Sequence, residues 1–314
     1  MKISASCRFD REWLEMFKRV GFEAVMLSLG PYFGEKSEKF PIYVDRDNPE
    51  IPESELKEYF TEWKDIIADI GLEIDQTHGV FSGHASAGNT FNYDVHLLRM
   101  IYSVKATHYL GIKKCVLHPI MIPERYNEHY KKEVFEKNIE FFKRLRPYLE
   151  EYDVYACIEN MFRGDPVYRH ICPTTCSRAD EMCALVDALG NDRFKLCLDI
   201  GHAALTQQDP TKMVYEMGDR LVCTHGQDND GIEDLHTRPF CAQAVPAGCG
   251  FEPVRTDWHS FMCALADVGY EGNINFEAGP AAPVAIREGG YRYMAALEKY
   301  LVSVFDKRKA EISK

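Results

Sequence analysis

The chain has 314 residues, 46% hydrophobic and 27% charged, which excludes a disordered polymer and is enough for one large core. Its net charge of −12 disfavours nucleic acid and anionic membrane, so neither is expected as a partner. No apolar run could span a bilayer, and Met1-Lys2-Ile3-Ser4-Ala5-Ser6-Cys7-Arg8 lacks the apolar stretch of a signal peptide. The eleven cysteines then read as reduced thiols in a cytoplasmic protein.

From the N-terminus, strand and helix signals alternate, as in a parallel α/β architecture. Ile3–Cys7 reads as the first strand. Phe9–Val20 follows as a helix with Trp13, Met16, Phe17 and Val20 on one face, stopped by Gly21. Phe22–Leu29 is the second strand. In Glu53–Ile70, Leu56, Phe60, Trp63, Ile67 and Ile70 repeat at helical spacing. Leu72–His78 is the third strand, a helix runs from Tyr93 to Leu110, and Lys114–His118 is the fourth strand. The helix over 129–150 is expected to kink or end at Pro147.

The second half repeats one pattern. Val154 to Glu159, Phe194 to Asp199, Arg220 to His225 and Gly272 to Glu277 are short apolar runs that each stop at a metal-binding side chain. Helices over 178–189, 211–218, 257–268 and 287–305 separate and follow them. The strand ends His78, His118, Glu159 and Asp199 are 40, 41 and 40 residues apart, and no GxGxxG motif is present. The pattern predicts a single (β/α)8 TIM barrel over 1–314, with 306–314 as a solvated tail. Cys115, Cys157, Cys197 and Cys223 lie inside strands as small apolar groups. Cys172 and Cys176 have no second pair, so a structural zinc is not expected there.

Long connections at 30–52, 160–177 and 226–256 follow strand C-termini and should share the catalytic face. They carry Tyr32, Phe33, Phe40, Tyr43, Phe162, Tyr168, Phe240 and Phe251. These rings either pack the loops together or form a lid over a ring-shaped substrate.

Glu159, Asp199, His225 and Glu277 offer three carboxylates and an imidazole without a thiolate, a set that suits Mn²⁺, Mg²⁺, Co²⁺ or Zn²⁺. Three carboxylates at one point are costly without a cation. His202, three residues beyond Asp199, reaches the same cavity as a second ligand or as a donor to substrate. Asp234 and His236 alternate, so both could point to one side.

The motifs Ile158-Glu159-Asn160, Leu198-Asp199-Ile200-Gly201-His202, His225 with Asp228-Asn229-Asp230-Gly231, Asp234-Leu235-His236, Gly248-Cys249-Gly250 before Trp258, and Phe276-Glu277 resemble the xylose isomerase-like barrel superfamily. That superfamily holds sugar isomerases, tagatose- and psicose-type 3-epimerases and endonuclease IV. The resemblance implies a divalent-metal-dependent sugar isomerase or epimerase that abstracts a proton next to a carbonyl through an enediolate. It implies one metal, Mn²⁺ first, held by Glu159, Asp199, His225 and Glu277. Glu159 and Glu277 would be the acid/base pair on opposite faces of the sugar, and His202 would contact substrate. His78, His118, Asp228 and Arg238 are expected to bind substrate, with Arg255 as an alternative to Arg238. The stretch 238–245 departs from the epimerase branch and leaves the substrate open.

Two other activities fit the same resemblance. One is the catalytic subunit of a C-glycoside deglycosidase, a lyase acting on 3-oxo-glucosides with a small second subunit. The other is an endonuclease IV-like zinc phosphodiesterase, for which His78, His118, Glu159, Asp199, His202, His225, Asp234, His236 and Glu277 would supply nine ligands. The acidic surface argues for one metal rather than three. A small sugar or glycoside is the expected partner, in a homo-oligomer or in a hetero-oligomer with a small second subunit.

Overall fold

Strand alternation decides which side chains enter the interior of this protein. The computed structural model describes residues 1–33, 50–81, 92–121, 128–165, 170–190, 192–229, 231–241, 256–280 and 282–314. Its strands are β1 (Ile3–Cys7), β2 (Ala24–Ser28), β3 (Glu73–His78), β4 (Lys114–Leu117), β5 (Tyr155–Glu159), β6 (Phe162–Gly164), β7 (Ile171–Pro173), β8 (Phe194–Asp199), β9 (Leu221–Gly226) and β10 (Ile274–Phe276). Eight of them close into a parallel barrel in the order β1, β10, β9, β8, β5, β4, β3, β2. β6 and β7 form a separate antiparallel hairpin in the connection after β5.

The helices are α1 (Arg11–Val20), α2 (Gly30–Phe33), α3 (Glu53–Ile70), α4 (Tyr93–Tyr109), α5 (Glu128–Glu151), α6 (Ala179–Leu189), α7 (Ile200–Leu205), α8 (Pro210–Met217), α9 (Trp258–Asp267) and α10 (Arg287–Ile312). Asp10, Asn92, Asp209 and Asp257 accept backbone N–H groups at the starts of α1, α4, α8 and α9. The main core packs helix faces against the outer strand faces, with Phe17, Phe22, Phe60, Phe142, Phe194, Trp258 and Phe276 all buried. The chain is thus a (β/α)8 barrel, as the alternation predicts.

The barrel interior is a second, smaller cluster of Val116, Cys157, Cys197 and Cys223. Two residues further along each strand stand His118, Glu159, Asp199 and His225. A period of two therefore carries each polar group to one level directly above a thin layer of thiols and one valine. Below that layer the Lys114 ammonium donates to Asp75 over 2.6 Å, with Asn273 donating to the same carboxylate. A half-buried lysine and a buried aspartate thus pair beneath the layer, opposite the end that carries the imidazoles and carboxylates.

Several expected boundaries shift. α5 continues past Pro147 to Glu151, because Leu145 and Leu149 bury the turns on either side. α10 runs to Ile312 rather than stopping at 305: Val304 and Phe305 are buried, and Arg308 donates to Asp267 over 2.7 Å, so most of the expected tail is helical. Tyr32 and Phe33 are core residues rather than lid residues, packed among Phe9, Tyr59, Phe60 and Tyr102. Phe240 packs against Trp258 and Tyr300. Phe40, Tyr43, Tyr168, Asp230, Gly248-Cys249-Gly250, Phe251 and Arg255, with 242–245 of the unusual stretch, lie outside the described residues.

Glu298 on α10 is fully buried beside the Ser4 backbone, and neither carboxyl oxygen has a hydrogen-bond partner. Burial raises its pKa well above the ordinary 4.5, so the folded chain keeps it protonated where the unfolded chain ionises. Folding then takes up a proton above pH 4.5, and each further pH unit costs about 1.4 kcal/mol until the folded pKa is reached. Glu298→Met is expected to stabilise the fold at pH 7 by about 1–3 kcal/mol for the buried unsatisfied polar group and by the pH-linked cost in addition. The gain should shrink toward pH 4. Denaturant titrations at both pH values measure it, and equal gains would show that ionisation is not the cause.

Candidate metal centre

Glu159, at the end of β5, is completely buried and is the hub of the site. Its Oε1 lies 2.9 Å from His225 Nδ1, and its Oε2 lies 3.2 Å from His78 Nε2 and 3.1 Å from His118 Nε2. Oε2 is nonetheless without an aligned hydrogen bond, as is the buried Nε2 of His225. Glu277, just past β10, places Oε2 3.0 Å from the same His225 Nδ1. Ligand atoms of His78, Glu159, His225 and Glu277 all lie within 4.8 Å of one another. Four nitrogen and oxygen donors this close, with a single hydrogen bond from His225 Nδ1 to Glu159 Oε1 among them and Glu159 Oε2 left without one, fit a divalent cation between them.

The imidazoles are held for this role. His78 Nδ1 lies 3.0 Å from the Gly79 carbonyl, His202 Nδ1 2.8 Å from that of Asn160, and His236 Nδ1 2.7 Å from that of Glu277. A carbonyl only accepts, so each Nδ1 carries the proton and each Nε2 is left to face the centre.

Of the four expected ligands, Glu159, His225 and Glu277 stand together with His78, and Asp199 stands beside them. Asp199 Oδ1 caps α7 by accepting the His202 N–H over 2.7 Å, and Oδ2 accepts from Gln227 Nε2 over 2.9 Å, standing 4.0 Å from His225 Nδ1. The helix begins at the very next residue, and its first turn claims the carboxylate. Asp199 instead groups with Glu159 and His202, while His202, Asp234 and His236 form a third group. His236 Nε2 is 2.8 Å and His202 Nε2 is 3.8 Å from Asp234 Oδ2. All nine expected ligands therefore form one continuous network.

Two expected substrate residues are held by contacts outside the ligand groups. The Arg238 guanidinium lies over the Tyr293 ring, 5.6 Å from its centroid. Asp228 is buried, its backbone exchanging two hydrogen bonds with Thr237, and it belongs to none of these groups.

Other residues at the site had no metal-ligand signature to reveal them. Asn160 joins β5 to β8, donating to the Asp199 carbonyl over 2.8 Å and accepting the Asp199 N–H over 2.6 Å. Gln227 packs on Gly201 so closely that a Cβ there would lie 2.5 Å from its Cδ, so only glycine fits. Phe162 lies edge-on to His202 at 4.8 Å. Phe81 lies tilted at 4.8 Å from His78 and edge-on at 5.2 Å from His118.

Charge within the network is strongly coupled. Burial alone would raise Glu159 and Glu277, but the His225 imidazole holds Glu159 well below the carboxylate range and Glu277 down to about 2. Burial raises Asp199 to about 6. Burial would lower His202, yet Asp199 and Asp234 push it up to about 10. The carboxylates thus draw positive charge onto the imidazoles, the charge a bound cation would bring.

The family model for xylose isomerase-like TIM barrels matches residues 14–296. A structure of D-psicose 3-epimerase with D-fructose has a TM-score of 0.64 at 14% identity, covering 96% of this chain and 99% of that one. The 3-keto-D-glucoside 4-epimerase YcjR from E. coli gives 0.66 at 14%, covering 96% and 99%. IolI protein with a binding zinc atom gives 0.64 at 15%, covering 98% and 99%. At such identities the likeness is one of fold. An uncharacterised protein of Sinorhizobium fredii, y4fM, is 29% identical over 128 residues, 39% of this chain, and the match spans 37% of that relative's length.

Proposed function

The chain belongs to the xylose isomerase-like TIM barrel family, and from that membership we propose that it is a sugar isomerase or epimerase using one divalent cation. The observation that carries this reading is the convergence of His78, Glu159, His225 and Glu277 at one buried point. Mn²⁺ is the first choice of cation, with Mg²⁺, Co²⁺ and Zn²⁺ compatible with the donor set. When bound, such an ion polarises a carbonyl and its neighbouring oxygen.

The chain's own residues divide the remaining work. Glu159 is sealed beneath the imidazoles, whereas the Glu277 side chain keeps 19% of its surface exposed. Glu277 is therefore the carboxylate that reaches the carbon next to the carbonyl and takes its proton. His118 and His202 line the same space with Nε2 available for substrate oxygens. The test is to incubate Mn²⁺-loaded protein in deuterated water with a panel of ketoses and 3-oxo-glucosides and to follow deuterium at the α-carbon by NMR. Exchange with at least one of them is expected, and no exchange with any would sink the reading.

A second reading has its own support. The group His202, Asp234 and His236 offers three more donors, and the nine-residue network is what a multinuclear zinc phosphodiesterase would need. Metal counting separates the two. One ion per chain is expected. Three zinc ions, with cleavage of abasic DNA, would replace the isomerase reading by the nuclease one.

A further inference from the structure

Phe81 is a large apolar side chain that the fold leaves 53% exposed at the mouth of the metal centre. Its ring is nevertheless fixed. It lies 4.8 Å from the His78 ring at 37° and 5.2 Å from the His118 ring at 62°. From the other side it rests on Gly30 at the start of α2, where an added Cβ would lie 2.9 Å from the Phe81 Cε2 atom. Among the described residues the ring is braced by His78, His118 and Gly30 and still keeps half its surface exposed as a shelf, and an apolar surface next to convergent polar groups is the composition of a ligand pocket.

We propose that Phe81 is the specificity-determining residue of this site. It stacks on the flat apolar face of a ring in the substrate, so the site selects a cyclic sugar or glycoside over an open-chain polyol. The proposal rests on the sugar isomerase reading above. Two sources share this chemistry: the C–H face of a pyranose and an aromatic group attached to it. Two of its three supports are the imidazoles of His78 and His118, so the shelf has a fixed relation to the centre.

The experiment is isothermal titration calorimetry of Mn²⁺-loaded wild type, Phe81→Ala and Phe81→Trp. The probes are phenyl β-D-glucopyranoside, methyl β-D-glucopyranoside and sorbitol. Phe81→Ala should weaken phenyl glucoside binding by about 2–12-fold, the range a stacked ring contributes. Phe81→Trp should retain it, and sorbitol should be unaffected. A matching loss with the methyl glucoside assigns the shelf to the sugar ring; a loss confined to the phenyl probe assigns it to an aromatic group. Equal affinity of wild type and Phe81→Ala for both ring probes, including no binding by either, overturns the proposal. Metal content of each sample is measured alongside. Wild type that holds no metal defeats the isomerase reading, whereas a ring-specific loss in Phe81→Ala still supports the shelf.

Discussion

His225→Ala is expected to weaken metal binding by more than about 10²-fold and to abolish turnover. Replacing a partner that merely orients a ligand costs about 10–100-fold in affinity, so loss of a ligand itself should cost at least that much. His225 Nδ1 lies 2.9 Å from Glu159 and 3.0 Å from Glu277. Without the imidazole, buried Glu159 and partly exposed Glu277 lose the group that stands between them. His78→Ala should act in the same direction, since His78 shares the innermost group. Asp199→Ala should lose less, because both Asp199 oxygens are already engaged by the His202 N–H and by Gln227. Elemental analysis of the three purified variants decides the ligand set. Full occupancy in His78→Ala with none in Asp199→Ala would restore the set read from strand ends alone.

The strand ends were legible because each is an apolar run that stops abruptly at a polar group. A cysteine or valine two residues earlier, as in Cys157 before Glu159 or Val116 before His118, gives the inward register as well. The choice between Asp199 and His78 was not legible. It depends on α7 starting at Ile200 and drawing the Asp199 side chain into its first turn as a cap. The direction of Arg238 was not legible, because a basic residue in a long loop has no periodicity to fix it; its guanidinium lies over Tyr293. Tyr32 and Phe33 read as loop aromatics because α2 is only four residues long, too short for a helical repeat. Phe81 gave no signal for a different reason. A half-exposed ring is defined by what lies around it, and Gly30, His78 and His118 are brought together only by the closed barrel.

Glu277→Gln, assayed at a metal concentration that keeps the poorer amide ligand loaded, is expected to slow exchange of the substrate's α-proton by about 10²–10⁴-fold, the contribution of a general base. Glutamine has the same shape and retains an oxygen for the cation, but it cannot accept the proton. Glu277 suits the role in three respects. It is the partly exposed carboxylate of the innermost group. Despite burial, the His225 imidazole holds its pKa down to about 2, so it is ionised at neutral pH and ready to accept. Its backbone carbonyl is fixed by His236 Nδ1 over 2.7 Å, which sets the direction of the side chain. Glu159→Gln should behave differently. That carboxylate is enclosed by His78, His118, His202 and His225, and its loss should remove the metal before any effect on proton transfer can be read. The two variants are compared by metal content and by NMR exchange in deuterated water, with whichever ketose or oxo-glucoside the wild type accepts. Metal-replete Glu277→Gln that exchanges at the wild-type rate would remove Glu277 from the chemistry and direct the search for the base to His118, His202 and Asp228.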